Sequence, residues 1–182
     1  MKRLCFLFVL VVWVVTGLAA QQPAAEISFL FTRQSGVASN QYAIWIEDAQ
    51  GLYVKTLYAT RWTANGGYRR RPTSIPLWVS RSHLENMPRS QIDAVSGATP
   101  RTGELTYSWD GTNSRGAAVP NGNYVIVLEG TLRWENQVYY RAPIVLGQGA
   151  ASPQVSVEYV SGDRDTTAER AMFNNVVVRV LR

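Results

Sequence analysis

Apolar and polar residues alternate with a period of two through most of the chain. Ile27, Phe29 and Phe31 fall on one face, and Ser28, Leu30 and Thr32 on the other. Tyr42, Ile44 and Ile46 alternate with Ala43, Trp45 and Glu47, and Leu105, Tyr107 and Trp109 with Thr106, Ser108 and Asp110. Further runs centre on residues 125–128, 139–145, 155–159 and 176–181. Successive side chains of a strand point to opposite faces, so this period predicts half-buried strands. Gln50-Gly51, between two such runs, predicts a tight hairpin turn that returns along residues 53–58.

Seven or eight short strands separated by turn residues predict an all-β, Ig-like antiparallel β-sandwich. Its expected core includes Phe29, Ile44, Trp109, Tyr124, Ile126 and Val178. Residues 21–182 read as one domain, with neither an internal repeat nor a linker to divide them. The stretch from about 61 to 103 is rich in Pro, Gly and Arg and is long for a single connection, which predicts an irregular insertion. Helix is scarce. Ser82 with Glu85, and Thr166 with Glu169, have capping-box spacing, which predicts one or two short helical turns near 80–86 and 167–173.

The first twenty residues stand apart from this pattern. Lys2 and Arg3 precede an unbroken apolar run of twelve residues, 4–15, and Thr16, Gly17, Ala19 and Ala20 follow as small residues before Gln21-Gln22. That order predicts a cleaved signal peptide over 1–20 and a periplasmic mature protein. A membrane span needs about 20 apolar residues, more than this run supplies. The single cysteine, Cys5, lies inside the leader, so the mature domain is expected to hold together by packing, without a disulfide. An apolar fraction of 46% is compatible with that.

Two of the five net positive charges lie on Lys2 and Arg3; after the leader, Lys55 is the only lysine. Arg69, Arg70 and Arg71 stand together beside Tyr68, between Gly66-Gly67 and Pro72. Such a run reads as a solvated loop or as a contact for an anionic partner. Nucleic acid is not expected as a partner of an exported protein. The chain also lacks the usual kit for hydrolysis or zinc binding, because His83 is its only histidine and no nucleophile elbow is present. Asp163, Asp165 and Glu169 are interrupted by Arg164, and Glu169 suits the capping box, so no metal site is expected there. No catalytic residue is assigned; a carrier or binding protein is expected, not an enzyme.

One segment speaks to fold. "WDGTNSRGAAVPNGNY", Trp109 to Tyr124, ends one strand on an inward Trp109, turns at Asp110-Gly111 and again at Gly116, and enters the next strand at Tyr124. It resembles the Ig-like domain of flagellar hook-capping proteins and many secreted C-terminal modules. Asp110 and Asn113 are read as bonding their own turn backbone rather than a calcium ion.

Another segment speaks to function. "DAVSGAT", Asp93 to Thr99, resembles the attachment motif of FMN-binding domains in sodium-pumping NADH:quinone reductases and Rnf complexes. The resemblance implies that Thr99 accepts FMN through a phosphoester bond made by an FAD-dependent flavin transferase outside the cytoplasm. It makes Ser96, Gly97 and Ala98 the small residues that let the transferase approach, and Asp93 the acidic lead. After Thr99 the chain departs from those proteins and continues Pro100-Arg101-Thr102-Gly103. The leader, "DAVSGATP" and "WDG" together also resemble a family of predicted periplasmic proteins of unknown function, associated with flavin transferases and PepSY-type membrane proteins. The resemblance implies a redox carrier partnered by the transferase and a membrane redox protein.

A plainer reading of the same residues is turn chemistry, with Gly97 at positive φ and Ser96 or Thr99 bonding a nearby amide. On that reading there is no cofactor, and the protein is a non-catalytic Ig-like binding or structural module that meets an envelope protein.

Overall fold

Each alternating run forms a strand. The computed structural model describes residues 22–35, 40–162 and 172–182. The leader, Asp163, Asp165, the Thr166–Glu169 capping box and most of the helical turn expected near 167–173 lie outside the described residues. The strands are β1 (Ala25–Phe31), β2 (Gln41–Asp48), β3 (Tyr53–Thr60), β4 (Ser96–Gly97), β5 (Gly103–Trp109), β6 (Gly122–Thr131), β7 (Gln137–Leu146), β8 (Ser156–Val160) and β9 (Phe173–Val180). They build a three-stranded sheet, β5-β1-β9, and a six-stranded sheet, β4-β3-β2-β6-β7-β8. Pairing is antiparallel everywhere except between β3 and β4.

The two sheets close on a core that contains Phe29, Ile44, Trp109, Tyr124, Ile126 and Val178, as the alternation predicts. Trp109 has no exposed surface, and its indole N–H donates to the Thr112 carbonyl at 2.8 Å. Its ring meets Tyr124 edge-on at 5.2 Å. Phe29 packs against Tyr42, Tyr107 and Phe173, with ring centroids 5.2–6.1 Å apart. The β2–β3 hairpin turns as expected at Gln50-Gly51. Gly51 takes φ 76°, and the Asp48 carboxylate accepts the amides of Gln50 and Leu52, both at 2.9 Å.

The stretch expected as an irregular insertion is ordered. It forms α1 (Arg61–Ala64), α2 (Pro76–Arg81) and α3 (Arg89–Val95), with 3-10 turns at Gly67–Arg69 and Leu84–Asn86. These elements lie over the outer face of the six-stranded sheet, where Ile75, Trp78 and Leu84 pack on Ala43, Trp45 and Val127. Strand β2 is therefore covered on both faces: Tyr42, Ile44 and Ile46 face the sandwich, and Ala43 and Trp45 face the insertion.

Sheet side chains anchor this cover. Glu129 of β6 accepts the amides of Leu77 (3.0 Å) and Trp78 (2.7 Å), so a carboxylate from another element caps α2. Thr131 accepts the amide of Ile75 at 2.7 Å, and Thr56 accepts the indole N–H of Trp78 at 2.9 Å. Ile75 itself sits in the left-handed region, φ 42°, a strained position for a β-branched residue. The bond to Thr131 and complete burial hold it there. The helical turn expected near 80–86 is present, but the Ser82–Glu85 capping box is not formed. His83 precedes the 3-10 turn at φ 50°, no side chain caps it, and Ser82 Oγ is buried without a partner.

Candidate functional site

Thr99 reaches its place through β4. Ser96 pairs with Ala59 and Gly97 with Thr60 in a parallel bridge on β3. Beyond that bridge Ala98 and Thr99 line the same cleft as Arg61 and Trp62 of α1, the residues that follow Thr60. The turn-chemistry reading is corrected here. Gly97 is not among the positive-φ residues; it is strand, and its lack of a side chain serves a close approach. A Cβ at Gly97 would stand 2.7 Å from Cε2 of Tyr58. The Tyr58 hydroxyl donates to the Ala98 carbonyl at 2.7 Å, pinning the segment from below. Neither the Ser96 nor the Thr99 hydroxyl makes a hydrogen bond among the described residues.

Tyr58 is part of a partly buried cluster of phenol rings that centres on the buried Tyr42. Its ring lies 5.0 Å from that of Tyr42 and 4.9 Å from that of Tyr107, and the hydroxyls of Tyr42 and Tyr107 are 2.6 Å apart. Burial, then the neighbouring Tyr107, pushes the Tyr58 phenol up to about 12, against the pull of the Tyr42 hydrogen bond and nearby Arg61. Tyr42, more deeply buried, is raised further, again by burial first and Tyr107 second. These phenols stay protonated at neutral pH and act as donors and packing surface.

Thr99 and Ala98 form one wall of an open cleft of about 480 Å³. The others come from Arg61, Trp62, Asn65, Gly66, Gly67 and Arg70. The chain turns from α1 to the next 3-10 turn at Gly66, φ 97°, and this brings Arg70 back over α1. Gly67 lies so close under Trp62 that a Cβ there would run into the indole. Trp62 is 44% exposed, an unusual fraction for so large an aromatic ring. No carboxylate lines the cleft, and neither Arg61 nor Arg70 is in an ion pair among the described residues.

The other residues singled out in the sequence sit elsewhere. Asp93 lies on exposed α3 and pairs with Arg89, 3.1 Å away, one helical turn back; it is not part of the cleft wall. The arginine run is ordered and divided. Arg69 covers the Tyr68 ring at 5.6 Å, Arg70 enters the cleft, and Arg71 is half-buried and reaches Thr73 Oγ1 at 3.4 Å. Asp110 and Asn113 bond their own turn, as expected. Asp110 accepts the Thr112 amide (3.0 Å) and also holds Lys55 (2.9 Å), while Asn113 accepts the amides of Arg115 and Ala117. Lys55 and Thr112 keep the Asp110 carboxyl below its ordinary range despite partial burial.

Sequence reasoning missed Arg61, Trp62 and Tyr58. The usable signal was Arg61-Trp62 placed at the end of a strand pattern and followed by Gly66-Gly67. It also missed the two buried carboxylates behind the cover, Glu129 and Glu47. Glu47 accepts the Trp45 indole N–H at 3.0 Å and faces Arg81 and Arg141 at 3.7 and 3.4 Å.

Comparison with curated proteins and with solved structures gave no match. The matching family model spans residues 24–162, from the start of β1 through β8, and takes in both the cleft and the Asp93–Thr99 segment. On that match the chain belongs to DUF2271, a family of predicted periplasmic proteins.

Proposed function

We propose that this periplasmic protein is a redox carrier whose FMN is esterified to Thr99. The observation that carries the reading is the position of Thr99: it lines a cationic, aromatic-lined cleft, and its hydroxyl makes no hydrogen bond among the described residues. The residues fit the group. A cleft of about 480 Å³ lies within the ~300–1,000 Å³ typical of small-molecule sites. Arg61 and Arg70 suit a phosphodiester, and Trp62 suits a flat ring.

Attachment forms one bond and breaks one. Thr99 Oγ1 bonds to the FMN-side phosphorus of FAD, the pyrophosphate P–O bond breaks, AMP leaves, and the hydroxyl proton passes to a base of the transferase. The chain's own part is to present the hydroxyl. Tyr58 holds the Ala98 carbonyl, and Gly97 lets the strand lie flat on the Tyr58 ring. Ser96 and Gly97 tie the segment to β3, so Thr99 stands two residues beyond an anchored sheet edge. Bound flavin would supply the one- and two-electron chemistry. The partners of this reading are the transferase and a membrane redox protein.

The test is co-expression of the full chain with an exported flavin transferase shown to be active on another substrate, followed by peptide mapping. The added mass should fall on the peptide holding Thr99 and vanish in Thr99→Ala, with Ser96→Ala milder. An unmodified chain under those conditions would end the carrier reading and leave the non-catalytic envelope module.

A further inference from the structure

The cleft contains more than an acceptor hydroxyl needs. A transferase requires an exposed hydroxyl and a backbone it can close on; Thr99, Ala98 and Gly97 already meet that need. Arg61, Arg70 and Trp62 are additional, and they come from a different part of the insertion.

Three features give these residues a ligand. Arg81, Arg89 and Arg141 each face a carboxylate, but Arg61 and Arg70 are in no ion pair among the described residues, and both line a cleft without acidic residues. Unneutralised guanidinium pairs facing a concave wall favour an anion, and their planar forks suit phosphate oxygens. Trp62 is exposed yet positioned, because the Gly67 backbone lies against its indole. A ring already held in place loses little rotamer freedom when a second ring stacks on it. Finally, the cationic and aromatic groups line the same cleft as Thr99, so one ligand can meet both while joined to that residue.

We infer that the cleft is a dock for a flavin phosphate, with Trp62 as the stacking surface and Arg61 and Arg70 as the phosphate's partners. This deepens the Thr99 reading, since the tethered flavin is the ligand it would hold. The carrier's flavin then rests against the protein between encounters, rather than hanging in solvent. Its phosphate is neutralised by Arg61 and Arg70, which line the cleft with Thr99.

Free flavins separate the dock from the attachment. The mature Thr99→Ala chain, which has no acceptor, is titrated with FMN, riboflavin and AMP, following flavin emission, with AMP read by displacement. FMN should bind with quenched emission, and riboflavin about tenfold more weakly for want of the phosphate. AMP should compete poorly. Trp62→Ala should weaken FMN by about tenfold and remove most of the quenching, the scale of one lost stacking contact. Trp62→Phe should restore much of the binding. Arg61→Ala with Arg70→Ala should reduce FMN to the level of riboflavin. A thermal melt of each variant, cooperative and well above the assay temperature, keeps a folding defect from imitating the result.

Equal binding of FMN and riboflavin, or of FMN by the chains with and without Trp62, overturns the dock. So does AMP binding as tightly as FMN. Mass on Thr99 together with any of those results leaves the attachment standing and the dock refuted. Free FMN bound through Trp62, with no mass ever found on Thr99, does the reverse.

Discussion

Glu129 should make stability fall as pH rises toward neutrality. Its carboxyl is buried beneath the insertion, and burial raises it from an ordinary 4.5 to about 7, against the pull of the Trp78 and Leu77 amides, Tyr139 and Arg141. Between pH 4.5 and 7 the folded chain therefore binds a proton that the unfolded chain has released. By linkage, unfolding free energy declines across that window and levels off above it. The gap between 4.5 and about 7, at about 1.4 kcal/mol per pH unit, is worth about 3 kcal/mol. The assay is urea unfolding at pH 5, 6, 7 and 8 on the wild type and Glu129→Gln. The wild type should lose most of that amount between pH 5 and 7.5; the variant should be nearly flat. Glu129→Gln should also be less stable at pH 5 by about 1–3 kcal/mol, because its amide nitrogen faces a backbone N–H that then has no acceptor. A wild-type curve as flat as that of Glu129→Gln would refute the reasoning. So would one that rises with pH, which would mean the carboxylate is the stabilised form.

Three further perturbations test the frame around the site. Trp109→Ala should cost about 3–5 kcal/mol in chemical denaturation, since it removes a fully buried ring from between the sheets; wild-type stability would remove Trp109 from the core. Gly97→Val should destabilise by about 1–3 kcal/mol and block flavin addition, because its Cβ has no room against Tyr58. Tyr58→Phe, which keeps the ring but loses the bond to Ala98, should cost only about 1 kcal/mol.

The strands were legible because one face of each looks into the sandwich. In β1 the burial alternates with each residue, and in β5 it follows Leu105, Tyr107 and Trp109, as a period of two requires. The cover was not legible. Its helices are four to seven residues long, too short for a 3.6-residue period to show, and none has a side-chain cap of its own. The longest-range anchors, Glu129 and Thr131, hold α2 from β6, more than 50 residues along the chain, and Thr56 holds it from β3. Strand β4 was invisible for a related reason. Ser96-Gly97 has no strand propensity, and a parallel bridge to β3 exists only because the whole insertion forms the crossover. The arginine run and the Asp93–Thr99 motif were both visible, but as separate features. The turn at Gly66 and the β4 bridge place Arg70 and Thr99 on one cleft, and no local pattern encodes that pairing.

The central claim is that Thr99 bears a flavin in the cell, and the intact mass of the protein recovered from its native periplasm tests it most directly. The account predicts the mature chain plus one FMN group, yellow after denaturation and gel filtration because the link is covalent, with the mass shift absent from Thr99→Ala. A colourless protein at the mass of the bare mature chain, from cells that contain an active flavin transferase, would contradict it.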